Sequence, residues 1–340
     1  MLTRPRRLLA LGLVVALGAA TLSACQSDSG ERVTIYSGRT QQLIDPILQR
    51  FAEEKGISVD VRYGDSSDLA LLLEEEGDKS PADVFLSQSP GAIGFVDREG
   101  MLSELPESTL RRVRERFRAQ DGNWVGISGR VRVLVYDTRE LSEDDLPKSV
   151  FELTQPEYRG RVGIAPPNAS FIDFVTAMRS IEGDERTLAW LRGLAANDVK
   201  TYPNNIAIVD AVNRGEIDMG LVNHYYNEQA KAEDPGIASA NFVFPDGDVG
   251  ALILVTAAGI LKTSDNRDAA IELLDFLLSR ESQEYFADET FEYPLAAGVA
   301  PAVDDLPPLD EIVSPPLDLS RLGRQFKSTR DLIQEAGIEV

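Results

Sequence analysis

Three β-rich runs alternating with two helical patterns fill residues 33–86, and they constrain the fold more than any other stretch. Val33-Thr34-Ile35-Tyr36 reads as a strand and Ser37-Gly38-Arg39-Thr40 as a turn. Leu43 to Lys55 reads as a helix, with Leu43, Ile47, Leu48 and Phe51 at helical spacing. Ile57 to Tyr63 alternates as a second strand, Asp68 to Glu76 is helical, and Ala82-Asp83-Val84-Phe85-Leu86 reads as a buried third strand. A βαβαβ order implies a parallel sheet in an α/β fold. The polar loops 37–40 and 87–90 both follow strand C-termini, where open α/β sheets place their ligands.

The pattern continues with other elements. Arg130 to Tyr136 and Val162 to Ala165 read as strands, and Pro166-Pro167-Asn168-Ala169-Ser170 as a turn into a helix from Phe171 to Ile181. Trp190 to Ala196 is helical, Val209 to Asn213 is a helix ended near Gly215, and Asp218 to Val222 is a strand. The apolar run Gly250 to Ile260 precedes an amphipathic helix, Asp268 to Leu278, and is expected to rejoin an earlier sheet. Pro301 to Pro316 reads as a surface wrap and Asp318 to Ala336 as a terminal helix.

Arg4, Arg6 and Arg7, the apolar run Leu8 to Leu22 and then Leu22-Ser23-Ala24-Cys25 have the order of an export signal. Leu-Ser-Ala-Cys resembles the lipobox of bacterial lipoproteins, which implies cleavage after residue 24 and a lipid on Cys25. The competing reading, an uncut anchor, leaves the position of the single cysteine unexplained. With that cysteine assigned to lipid the exported chain has no disulfide and no thiolate chemistry, so its fold rests on its core. Gln26 to Glu31 would be a polar leash. A formal charge of -22 argues against nucleic acid as a partner. Glu74-Glu75-Glu76 and Glu143-Asp144-Asp145 lack the ligand spacing of a calcium loop and read as solvated surface.

No phosphate loop, dinucleotide turn, H-E-x-x-H or G-x-S-x-G motif is present, and His224 is the only histidine, so catalysis finds little support. What stands out is Asn223-His224-Tyr225-Tyr226-Asn227, at the C-terminal end of a strand. Paired phenol oxygens suit a hard cation such as ferric iron, which would displace their protons. Plain aromatic packing is the alternative. Side chains alternate along a strand, so both tyrosines can meet one ion only where the chain leaves it. His224 reads either as a weak ligand or, better, as a hydrogen-bonding residue turned away from the cleft.

Several stretches carry a family resemblance: Ile35-Tyr36-Ser37-Gly38, Glu75 to Phe85, Ser128 to Val133, Ala211 to Asp218, Asn223 to Tyr226 and Glu292-Tyr293-Pro294-Leu295. In this order and spacing the chain resembles the ferric-iron-binding proteins of bacterial ABC transporters. The resemblance implies a two-lobed periplasmic-binding-protein type II fold with mixed sheets in each lobe joined by a hinge. Residues 32–130 and 250–300 would form the first lobe, and 131–249 with 301–340 the second, after a signal peptide (1–24) and a lipidated linker (25–31). It implies a monomeric, membrane-anchored, extracytoplasmic binding protein, not an enzyme, that delivers ferric iron to a permease.

Tyr225 and Tyr226 match the family's principal metal ligands. Thr40 and Gln88 stand where better-known members place a histidine and a glutamate. A synergistic anion (carbonate, phosphate or citrate) would meet Ser89, Asn168, Ala169, Ser170 and Asn205, with Arg39 and Arg130 as nearby cations. Residue by residue, helix capping explains Asn168 and Ser170 as well as anion binding does, an ion pair would explain Arg130, and a solvent-facing charge would explain Arg39. Two rival functions stay open: binding of a small organic anion or phosphonate-type solute, and an extracellular hydrolase using a carboxylate pair.

Overall fold

The computed structural model describes residues 31–296, 298–301 and 307–340. The export signal, Cys25 and the leash through Gly30 lie outside the described residues. Among those described, no helix is long and apolar enough to cross a membrane.

The strands are β1 (Arg32–Ser37), β2 (Ser58–Tyr63), β3 (Val84–Ser87), β4 (Leu102–Ser103), β5 (Trp124–Asp137), β6 (Val162–Ile164), β7 (Lys200–Thr201), β8 (Met219–Asn223), β9 (Ser239–Phe242), β10 (Ile253–Leu261) and β11 (Tyr293–Pro294). The βαβαβ opening folds as expected: β2 and β3 flank β1 in parallel, with Tyr36 opposite both Arg62 and Phe85. The apolar run predicted to rejoin an earlier sheet does so as β10, which lies antiparallel between β3 and β5.

The fourteen-residue β5 belongs to two sheets in succession. Residues up to Val131 pair with β10, and from Arg132 onward the strand pairs with β8, with Arg132 opposite Asn223. The second sheet is completed by β6 and β7, parallel to β8 and to each other, and by β9 on the other side of β5. Every residue of β5 is buried. Sequence alternation marked only its second half, because Trp124-Val125-Gly126-Ile127-Ser128-Gly129 has no period. Gly126 and Gly129 are needed there: a Cβ at either would lie 2.9 Å from a Leu295 methyl.

The expected terminal helix is two pieces, a 3₁₀ turn at Leu319–Arg324 and an α-helix at Phe326–Glu335. The break follows from Gly323, whose backbone presses on the helix Pro90–Arg98. A Cβ at position 323 would fall 2.2 Å from the Gly94 carbonyl carbon.

Candidate metal centre

Strand β8 ends at Asn223, whose extended backbone (φ −86°, ψ 142°) starts the helix His224–Glu233, so both tyrosines lie in its first turn. Leaving the strand resolves the alternation problem. The two rings lie 4.2 Å apart at 34°, with Tyr225 fully buried and Tyr226 nearly so. Burial, reinforced by the neighbouring Tyr226, holds the Tyr225 phenol well above its ordinary pKa, against the pull of Arg39 and Arg130. A cation that replaces the proton relieves that penalty.

The loop after β3 reaches this pair from the first sheet. Gln88 Nε2 donates to Tyr225 Oη at 2.6 Å and lies 3.4 Å from Tyr226 Oη. Thr40 is exposed and only shares with Tyr226 the wall of a cavity of about 550 Å³. Ser89 sits beside Gln88, but its hydroxyl donates to Asp173 (2.7 Å) and accepts from the Ala92 amide at the start of the Pro90–Arg98 helix (2.9 Å).

Three fully buried arginines lie behind the tyrosines. Arg39 is not solvent-facing: it forms a bidentate pair with Glu292 (3.0 and 2.5 Å), and its guanidinium is 6.0 Å from the Tyr225 ring. Burial would lower its pKa, but Glu292 and the two tyrosines hold it above the ordinary value. Arg130 is not in an ion pair; it donates to the Gln88 carbonyl oxygen and lies 3.4 Å from Thr256 Oγ1. Burial draws its pKa down.

Arg132 is a candidate site residue that sequence reasoning passed over. Its Nη1 lies within 3.2–3.4 Å of Ser170 Oγ, Asn205 Oδ1 and Asn223 Oδ1. Burial, then the charge on Arg130, pushes its pKa down to about 9. The signal was available: residues two apart on a strand share a face, so Arg130 and Arg132 had to be read together.

Asn168 caps the helix Ala169–Glu182, accepting from the Ser170 amide (3.0 Å) and hydroxyl (2.6 Å), and Asn205 Nδ2 joins it at 3.2 Å. Capping therefore accounts for the Asn168 side chain, while the structure still brings Asn168, Ser170 and Asn205 into one cluster with Arg132. Beside the tyrosines or in this cluster, Arg39 Nε, Arg130 Nε, Arg132 Nε and Nη2, and Asn223 Nδ2 are buried without a hydrogen-bond partner. So many orphaned donors beside two phenols fit an oxyanion next to a cation. Among the described residues no group of three or more His, Cys, Asp and Glu is placed to hold a metal, so a cation here would depend on phenol oxygens.

His224 accepts from the Val131 amide at Nδ1 (3.2 Å), which puts its proton on Nε2, 2.8 Å from the Phe291 carbonyl oxygen. It is a hydrogen-bonding residue behind the tyrosines, as the lone-histidine argument favoured.

A family model for bacterial extracellular solute-binding proteins matches residues 79–313. The chain belongs to that family. The solute-binding protein is 35% identical to the major ferric iron-binding protein of Neisseria meningitidis serogroup A, over 95% of this chain and 98% of that one. Iron-bound HitA from Pseudomonas aeruginosa superposes with a TM-score of 0.86 at 33% identity, covering 91% of this chain and all of that one. A Trichodesmium protein (IdiA, FutA) in complex with iron and citrate ligands gives 0.78 at 25% identity, covering 91% and 100%. These likenesses establish an α/β periplasmic-binding-protein fold, and the family is one of binding proteins, which sets aside the hydrolase reading.

Proposed function

We propose that this solute-binding protein captures ferric iron together with a small oxyanion and delivers it to an ABC permease. The observation that carries the reading is the juxtaposition of Tyr225 and Tyr226 with buried, unpartnered arginine N–H groups. Two phenolates offset part of the charge of Fe³⁺, and an oxyanion satisfies Arg130, Arg132 and Asn223 while filling coordination positions that Thr40 and Gln88 leave to other ligands. Carbonate, phosphate and citrate are the candidates; the Trichodesmium relative is described with iron and citrate. Residues 32–130 with 250–300 and 131–249 with 301–340 act as two lobes that close over the ligand, which stabilises the closed form by its differential affinity. Cys25 carries the lipid that tethers the monomer outside the cytoplasm.

The test is the visible tyrosinate-to-iron charge-transfer band. Ferric iron added to metal-free protein in carbonate, phosphate or citrate should produce it. A colourless mixture under all three conditions removes iron from the reading. The orphaned guanidinium donors also favour a second reading, an organic anion or phosphonate-type solute taken without metal. Calorimetric binding of such an anion to rigorously iron-free protein would decide for it.

A further inference from the structure

The helix Pro90–Arg98 follows β3 and packs on β3 and β10 of the first sheet, whereas the helix Ala169–Glu182 follows β6 of the second. One side chain bridges them directly, beside the Leu319–Arg324 turn that packs on both helices. Asp173, 1% exposed, directs Oδ1 at the start of the Pro90–Arg98 helix, accepting from Ser89 Oγ (2.7 Å) and from the Gly91 amide (3.1 Å). Ser89 is itself fully buried and caps the same helix. Gly91 is required at this point, because a Cβ there would lie 2.5 Å from Asp173 Oδ1.

A carboxylate is favoured at a helix N-terminus by the free amides and the helix dipole. Its placement still has a cost: Oδ2 has no partner, and burial pushes the Asp173 pKa up to about 7 against the pull of Ser89, Arg130 and the Gly91 amide. An aspartate that merely filled space would be better replaced by an apolar residue. A role in holding the two halves together gives the cost a function.

We propose that Asp173, seated on Ser89 and Gly91 across the two sheets, is a latch that holds the closed form shut and sets how long the ligand is retained. This rests on the reading that the two halves close over a ligand. Separation of the halves stretches a 2.7 Å hydrogen bond past its useful range after a displacement of about 1 Å. The latch therefore acts on opening. It does not touch Tyr225 or Tyr226, so it is a positioning residue rather than a ligand.

The experiment mixes iron-loaded full-length protein with excess EDTA in a stopped flow and follows decay of the tyrosinate band. Asp173→Ala and Gly91→Ala should release iron at least tenfold faster, with association rates within twofold of wild type. Asp173→Asn, which keeps an acceptor oxygen but not the charge, should fall between and serves if the alanine variants do not fold. Wild-type release from all folded variants overturns the latch, as does a lowered thermal midpoint with unchanged release, which would make Asp173 a static core contact. If wild type itself gives no colour, the iron reading has failed and the latch is read by small-angle scattering. Metal-free Asp173→Asn and Gly91→Ala should then have a larger radius of gyration, and an unchanged radius overturns the proposal.

Discussion

Gln88 reaches from the loop after β3 to Tyr225, its amide nitrogen 2.6 Å from the phenol oxygen, so the first sheet meets the tyrosine pair through a neutral donor. A donor stabilises a phenolate but supplies no anionic oxygen to a metal. Gln88→Glu should change both. In buffer free of added anion, ferric affinity should rise at least about tenfold, or ~1.4 kcal/mol, measured by competition with citrate. An unchanged affinity would mean that Gln88 does not face the metal.

The tyrosines and Thr40 should separate cleanly on substitution. Tyr225→Phe or Tyr226→Phe removes an oxygen from the pair, whereas Thr40 is exposed and only borders the adjoining cavity. Each phenylalanine variant is expected to lose most of the charge-transfer intensity and about a hundredfold or more in affinity, ~2.7 kcal/mol. Thr40→Ala should stay within about threefold of wild type. Equal effects would show that the pair is not the principal ligand.

Arg132 separates anion binding from metal binding. Its Nη1 already serves Ser170, Asn205 and Asn223, while Nε and Nη2 have no hydrogen-bond partner and the guanidinium lies over the Phe174 ring. Arg132→Gln should abolish the gain in ferric affinity that carbonate or phosphate confers, a loss of about ten- to a hundredfold in their presence. Without added anion the change should be small. A loss of the same size in both conditions would assign Arg132 to the scaffold around the tyrosines instead.

The residues that sequence reading placed are those whose position follows from local pattern. Tyr225 and Tyr226 were legible because a strand of buried residues ends one position before His224, so the chain had to turn where they stand. Asn168 was legible as a cap from its place before a helical run. For Arg39, read as a cation near the anion with a solvent-facing charge as the alternative, the pair with Glu292 was not legible, because Glu292 is 253 residues away and no local signal encodes a pair that only the β1–β3–β10–β5 stacking brings together. The first half of β5 was missed for a similar reason. Gly126 and Gly129 spoil its alternation, yet they are there to admit Leu295 from a distant segment.

His224 yields a prediction about pH whose sign follows from geometry. Nδ1 accepts from Val131 and Nε2 donates to Phe291, so a second proton would have to sit on Nδ1, facing an N–H. Burial, with a further push from Arg130 and against the Phe291 hydrogen bond, brings the pKa down to about 3 from its ordinary 6.5. The unfolded chain therefore binds more protons than the folded one between those values. The contribution of His224 is fully present above pH 6.5 and is lost as pH falls toward 3, by a few kcal/mol in all. Carboxylates produce their own acid loss, so the comparison that isolates the histidine is wild type against His224→Gln, a side chain that does not titrate. Urea midpoints at pH 7.5 and 4.5 should show wild type losing more stability than the variant across that interval. Parallel losses would mean that His224 takes up its proton without leaving the native contacts, contrary to the tautomer fixed by Val131 and Phe291.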